Sequence, residues 1–288
     1  MIRILSIATF ILSSLYVASV KDIQITKSFT LDSLGACQGI SLIDGRHYAY
    51  GDAETGVVRE YSWNKGSLNY QNRQWKLSIN NKDVINHPTG FAHQKGLPFF
   101  MGNSVRLNPE GTQWKAVIYC IDWKGLLNSR TLDGNLIKTI DDDAAVQGTR
   151  PEYVRYKGKW YVATADYGGV RNEVRLYEPQ KLATANRTSD EGVLVYKFNC
   201  GPWVQNLCWH NKSGMLVLVQ NQIEGRRWRL SFIDLENSVE TGTSVVRYTK
   251  DFDKSDELEG FSFTENDEQA IAVTSSRTSN GHLLKIDW

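Results

Sequence analysis

The acidic residues that could do chemistry fall at segment boundaries. Glu152 and Glu259 each open a short apolar run, and Asp52 and Asp166 each close one. Carboxyl pairs of this kind serve hydrolysis. One group gives a proton to the leaving oxygen while the other accepts a proton or attacks. These four are the candidate catalytic residues. Carboxylate oxygens from separate segments also suit Ca2+, so Glu152, Glu259 and Asp52 are the expected ligands if a metal does the polarising. Polar residues at neighbouring positions supply candidate substrate contacts: Gln38, His87, Asn103, Arg150, Trp203, Gln205, Asn221 and Glu257. Trp203 and Tyr167 could stack on a sugar ring.

Each assignment has a structural counterpart. Asp52, Asn103, Asp166 and Asn221 recur at one place in successive repeats, and recurrence favours a role in sealing backbone. His87 and Arg150 each precede a proline, which by itself restricts their conformation. Trp203 could equally be packing. The sequence contains no GxSxG, P-loop or HExxH motif. It also lacks the CxxC or HxxxH spacing of a zinc site.

What must position these residues is a repeat. Five segments share one plan and begin near Gln38, Thr89, Glu152, Gln205 and Glu259, roughly 50–60 residues apart. Each holds an apolar run, a turn such as Asp44-Gly45 or Lys157-Gly158, two further apolar runs and a weaker fourth. Four short strands per unit, repeated around a circle, predict an all-β, five-bladed β-propeller of four-stranded antiparallel blades. The last unit runs out at Trp288 after its third strand. Asp22–Phe29 is expected to supply the fourth and so close the ring.

Strands alternate in direction. The loops entering strand one and those joining strands two and three therefore open on one face. Gln38, Thr89, Glu152, Gln205 and Glu259 are expected to ring that mouth, above a plug of Ile40, Phe91, Val154, Leu207 and Phe261. Like-charged Glu152 and Glu259 would need Arg150, a raised pKa or a bound cation to offset them. The opposite face carries ordinary polar turns and both N-x-S/T sequons, at Asn186 and Asn211. Function is expected at the first mouth.

Composition fits that picture and narrows the partners. The chain has 288 residues, 33 Lys plus Arg against 32 Asp plus Glu, and a formal charge of +1. Nothing in that balance draws it to nucleic acid. Residues 1–19 read as a signal peptide: Arg3, an apolar stretch, then Ala18-Ser19. Residues 20–288 are then one exported domain, secreted or periplasmic, without a membrane span and expected as a monomer. Export permits disulfides among Cys37, Cys120, Cys200 and Cys208, with three pairings open. Cys120 and Cys208 also suit plain burial.

Two resemblances bear on activity. Arg150-Pro151-Glu152-Tyr153-Val154-Arg155-Tyr156-Lys157-Gly158-Lys159-Trp160-Tyr161 resembles the blade-opening pattern of five-bladed arabinanase- and furanosidase-type glycoside hydrolases. Gln38 stands where that family carries an Asp base, so Asp52 or Glu259 would have to replace it. Gly51-Asp52-Ala53-Glu54-Thr55-Gly56-Val57-Val58 and Leu258-Glu259-Gly260-Phe261 resemble stretches of secreted calcium-dependent nucleotidases of the apyrase kind. The expected function is a secreted hydrolase acting on a carbohydrate-containing substrate in the axial pocket. The alternatives are a Ca2+-dependent phosphate or ester hydrolase in that pocket and a non-catalytic glycan-binding module.

Overall fold

A computed structural model describes residues 19–31, 34, 36–51, 56–64, 66–222 and 224–288. Asp52 and the signal-peptide segment 1–18 lie outside the described residues.

The strands form five antiparallel four-stranded sheets, each in the order of its sequence repeat. Blade I is Cys37–Ile43, Arg46–Gly51, Val57–Asn64 and Ser67–Lys76. Blade II is Pro88–Ala92, Phe99–Arg106, Trp114–Ile121 and Leu136–Asp141. Blade III is Glu152–Tyr156, Lys159–Ala165, Glu173–Tyr177 and Leu194–Asn199. Blade IV is Val204–His210, Met215–Asn221, Trp228–Asp234 and Val245–Phe252. Blade V joins Leu258–Phe263, Gln269–Thr274 and Gly281–Asp287 to Asp22–Phe29, which pairs antiparallel with Gly281–Asp287.

Local chemistry explains the hairpins. Asp44 and Gly45, like Lys157 and Gly158, take positive φ between the first two strands of their blades. Such two-residue turns follow the right-handed twist of the flanking strands. The second and third strands are buried almost throughout, while outer strands such as Val245–Phe252 mix half-buried and exposed positions. Aromatic and aliphatic side chains fill the wedges between blades. Trp228, Phe232, Phe261 and Ile286 form one such core, and Tyr48, Trp75, Phe91 and Met101 another. In blades II, III and IV a short helix follows the third strand. These helices are Trp123–Ser129, Pro179–Thr184 and Leu235–Thr241, with first turns capped by Asp122, Glu178 and Asp234. At six or seven residues each, they are too short to leave a helical period in the sequence.

The inner strands are not equivalent. In blades I, II, IV and V the pairing with the second strand slips once, around Gln38, Thr89, Gln205 and Glu259. Each of these is the extra residue of a β-bulge. Blade III has no slip, and Glu152 pairs directly with Ala163. Glu152 sits four residues back from the turn pair Tyr156–Lys159. Gly39 sits four back from Ile43–Arg46, and Asn206 four back from His210–Met215. Glu152 thus corresponds to Gly39, Gly90, Asn206 and Gly260, one level deeper than the bulge residues.

Those glycines make the waist of the ring. A Cβ on Gly260 would come within 2.7 Å of Gly39 Cα, so blades V and I touch there backbone to backbone. A Cβ on Gly39 would collide with the Tyr50 hydroxyl. Tyr50 lies across that gap from the second strand of blade I. Its ring stacks on Phe91 of blade II at 4.1 Å, and its hydroxyl accepts a 2.9 Å hydrogen bond from Asn206 Nδ2 of blade IV. Tyr50 is wholly buried. It spans the axis and divides it into two ends.

Candidate functional site

The first end is the mouth where the sequence placed function, and it holds a buried polar network. Arg150 is 3 % exposed. Its Nε donates to the Gln205 carbonyl at 3.1 Å and its Nη2 to Gln205 Oε1 at 3.0 Å. Gln205 Nε2 in turn donates to Glu257 Oε1 at 2.8 Å, and Arg226 Nη1 donates to Glu257 Oε2 at 2.8 Å. Asp166 and Glu259 hold the Arg150 charge electrostatically against the penalty of its burial. Among the described residues Arg150 Nη1 has no hydrogen-bond partner. The guanidinium stands 5.5 Å from the Tyr167 ring centre, and Tyr167 meets Trp203 edge-on at 5.3 Å. Burial and the nearby Glu257 carboxylate push the Tyr167 phenol up to about 12.

Trp203 holds its place at a backbone cost. Its φ is +61°, in the left-handed region that bulky residues avoid. That conformation lets its N–H reach the Gly168 carbonyl while its own carbonyl accepts from Asn221 N–H.

Three members of the recurring ring, Asn103, Asp166 and Asn221, bind backbone. Asn103 Oδ1 accepts from the His87 N–H at 2.9 Å. Asp166 accepts from the N–H groups of Val146 and Gln147 at 2.9 and 2.8 Å. Asn221 grips both backbone groups of Leu258, accepting from its N–H at 2.9 Å and donating to its carbonyl at 3.1 Å. Each side chain ties a loop to the end of a second strand. Burial raises the Asp166 carboxyl even so, with the two N–H donors, Arg150 and Arg175 opposing. The His87 ring sits 6.3 Å from the Trp114 ring. Gln38 is buried at the same mouth.

The second end is a chamber of about 400 Å³ on the opposite face. Ile40, Phe91, Cys208 and Phe261 line it, Glu152 among them, and His93, His210, Lys212 and Asp267 belong to its rim. Ile40, Phe91 and Phe261 thus wall a cavity, whereas Val154 and Leu207 turn into the core between blades III and IV. Burial raises the Glu152 carboxyl well above the usual carboxylate range, opposed by the Tyr153 N–H alone. Its charge also acts on the Tyr50 phenol and the Cys208 thiol, so all three meet near the waist. At the rim His210 Nδ1 lies 2.7 Å from Ser213 Oγ, and Nε2 lies 3.4 Å from Asp267 Oδ1. The exposed Asn211, one of the two sequon residues, also lines this opening.

Arg150, Gln205, Glu257, Trp203 and Glu259 are therefore brought together at one mouth, while Glu152 faces the chamber at the other. Sequence reasoning missed Tyr50, Asn206 and Arg226. Glycine at 39, 90 and 260 was the available signal for the first two, because a side chain must fill what glycine leaves open. Nothing local marked Arg226. Among the described residues no group of three or more His, Cys, Asp or Glu gathers as a metal site. Positive charge among the carboxylates of the first mouth comes from Arg150 and Arg226. Cys120, Cys200 and Cys208 carry free thiols, and Cys37, Cys120 and Cys208 are buried.

Fold and site together define a five-bladed β-propeller with a polar network at one end of its axis. A solved structure supports the fold. The chain is similar to the glutaminyl cyclase of Myxococcus xanthus, with 13 % identity, a TM-score of 0.55, and 92 % of this chain and 96 % of that one covered. It also aligns with the soluble aldose sugar dehydrogenase of Escherichia coli at 12 % identity and a TM-score of 0.48, covering 92 % and 99 %. No family model and no curated protein sequence matches the chain. No helix among the described residues is long and apolar enough to cross a membrane.

Proposed function

We propose that the Arg150 mouth is the active site of an exported hydrolase acting on a carbohydrate-containing substrate. One observation carries the reading. A buried guanidinium with an unused N–H stands between carboxylates, under the aromatic pair Tyr167 and Trp203. Aromatic faces suit the apolar side of a sugar ring, and a preorganised donor suits an oxygen that gains charge as a bond breaks. In this reading Arg150 Nη1 binds that oxygen and Glu259 carries the proton. The leaving oxygen takes the proton from Glu259. Water adds its hydroxyl to the carbon, and the proton it sheds restores the carboxyl. Glu257 is held by Gln205 and Arg226 and positions substrate. Asp166 has both oxygens engaged by backbone donors and serves to hold the loop.

A Ca2+-dependent version would draw on Asp52 together with Glu259. Added chelator would then abolish turnover. The main test is Glu259→Gln, assayed on a panel of aryl glycosides and oligosaccharides. Turnover should fall by about 100-fold or more, in line with the loss of a general acid–base group, while saturable sugar binding persists. Undiminished turnover refutes the role of Glu259. Sugar binding by the unaltered protein without any turnover would make this a binding module instead.

A further inference from the structure

The chamber at the other end of the axis plays no part in the hydrolase reading. Tyr50 and the close approach of Gly39 and Gly260 separate it from the Arg150 mouth. We propose that this chamber is a second binding site, for a small organic ammonium ion whose charge meets Glu152 and whose carbon skeleton lies against Phe91 and Phe261.

The register of blade III is the first support. Four blades present glycine or asparagine at the waist, and blade III alone presents a carboxyl there. Its neighbours Ile40, Phe91, Cys208 and Phe261 are apolar. A carboxyl in such surroundings is costly to keep unless something compensates it, and no cationic side chain offsets its burial. Phe91 and Phe261 add rings whose faces attract cations.

The alternatives fit less well. A divalent metal needs six or more oxygen ligands, and among the described lining residues the carboxylates are Glu152 near the waist and Asp267 at the rim. An anion would be repelled by Glu152. The volume, about 400 Å³, lies in the range of small-molecule sites. At the rim Lys212 Nζ lies 3.6 Å from Asp267 Oδ2, so the opening presents paired charges to an entering cation.

The test is calorimetric titration of the full chain with benzylammonium and with benzyl alcohol, which share a skeleton and differ in charge. The ammonium should bind saturably, with a Kd of about 1 mM or tighter for a ligand this small, and at least tenfold more tightly than the alcohol. Glu152→Gln should remove that preference, and its urea midpoint measured at pH 5 establishes that the variant is folded. Equal binding of the two probes overturns the proposal. So does an unchanged preference in the variant, or no saturable ammonium binding. The hydrolase reading stands or falls separately, on Glu259.

Discussion

Replacing Glu152 by glutamine should change how stability depends on pH. Burial raises the folded pKa of the carboxyl well above the unfolded value. Between those two values the folded chain binds a proton that the unfolded chain has released. Stability contributed by that proton is complete below the unfolded pKa, near 4.3, and is lost as pH rises toward the folded pKa. The slope is about 1.4 kcal/mol per pH unit for one proton. As pH rises from the unfolded pKa the native protein should therefore lose stability through this group at up to that rate, until pH reaches the folded pKa. Glutamine has the shape of the neutral acid and does not titrate, so the variant should lose none of this. Urea denaturation at half-unit pH intervals measures the difference, and subtracting one curve from the other cancels every other titrating group. The variant should match the native protein near pH 4 and pull ahead steadily above it. Parallel curves would show that Glu152 ionises normally and that its surroundings are wetter than the chamber's walls imply.

Three further outcomes are expected. Tyr50→Phe leaves Asn206 Nδ2 buried without its acceptor, and should lower unfolding free energy by about 1–3 kcal/mol in chemical denaturation. Ile23→Ala in the outer strand of blade V empties a fully buried site. It should cost about 2–5 kcal/mol, whereas an alanine at the exposed Gln24 should cost far less. Burial lowers His47 and His282 to about 4, so their neutral forms favour the fold above the ordinary histidine pKa and that contribution is lost as pH falls from 6.5 to 4. Among the described residues neither ring nitrogen of His47 has a hydrogen-bond partner. His47→Phe should reduce acid destabilisation in that window by up to about 1.4 kcal/mol per pH unit, read from urea midpoints, and an unchanged acid limb would count against it.

The blade count was legible because a propeller repeats locally. Each unit carries its own apolar runs and its own turn, and Asp44-Gly45 or Lys157-Gly158 fixes a hairpin without reference to the rest of the chain. The first mouth was legible for the same reason. Arg150, Gln205, Glu257 and Glu259 stand at strand starts, and a ring of strand starts must converge. The partnership of Arg150 with Gln205 and of Gln205 with Glu257 was not written locally, since it joins residues more than fifty positions apart.

Register divided what the chain's own order could decide from what it could not. Alternating side chains announce strands, but one inserted residue leaves that pattern almost intact while turning the rest of the strand to the other side. The sequence therefore determined five four-stranded sheets and the acidic and amide residues at their inner ends. It aligned Glu152 with Gln38, Gln205 and Glu259, whereas four blades bulge at that point and the third does not. Only the assembled ring decided that Glu152 faces away from Arg150. That choice rests on close packing at the waist, where Gly39 and Gly260 let two backbones meet and Tyr50 fills the remaining space.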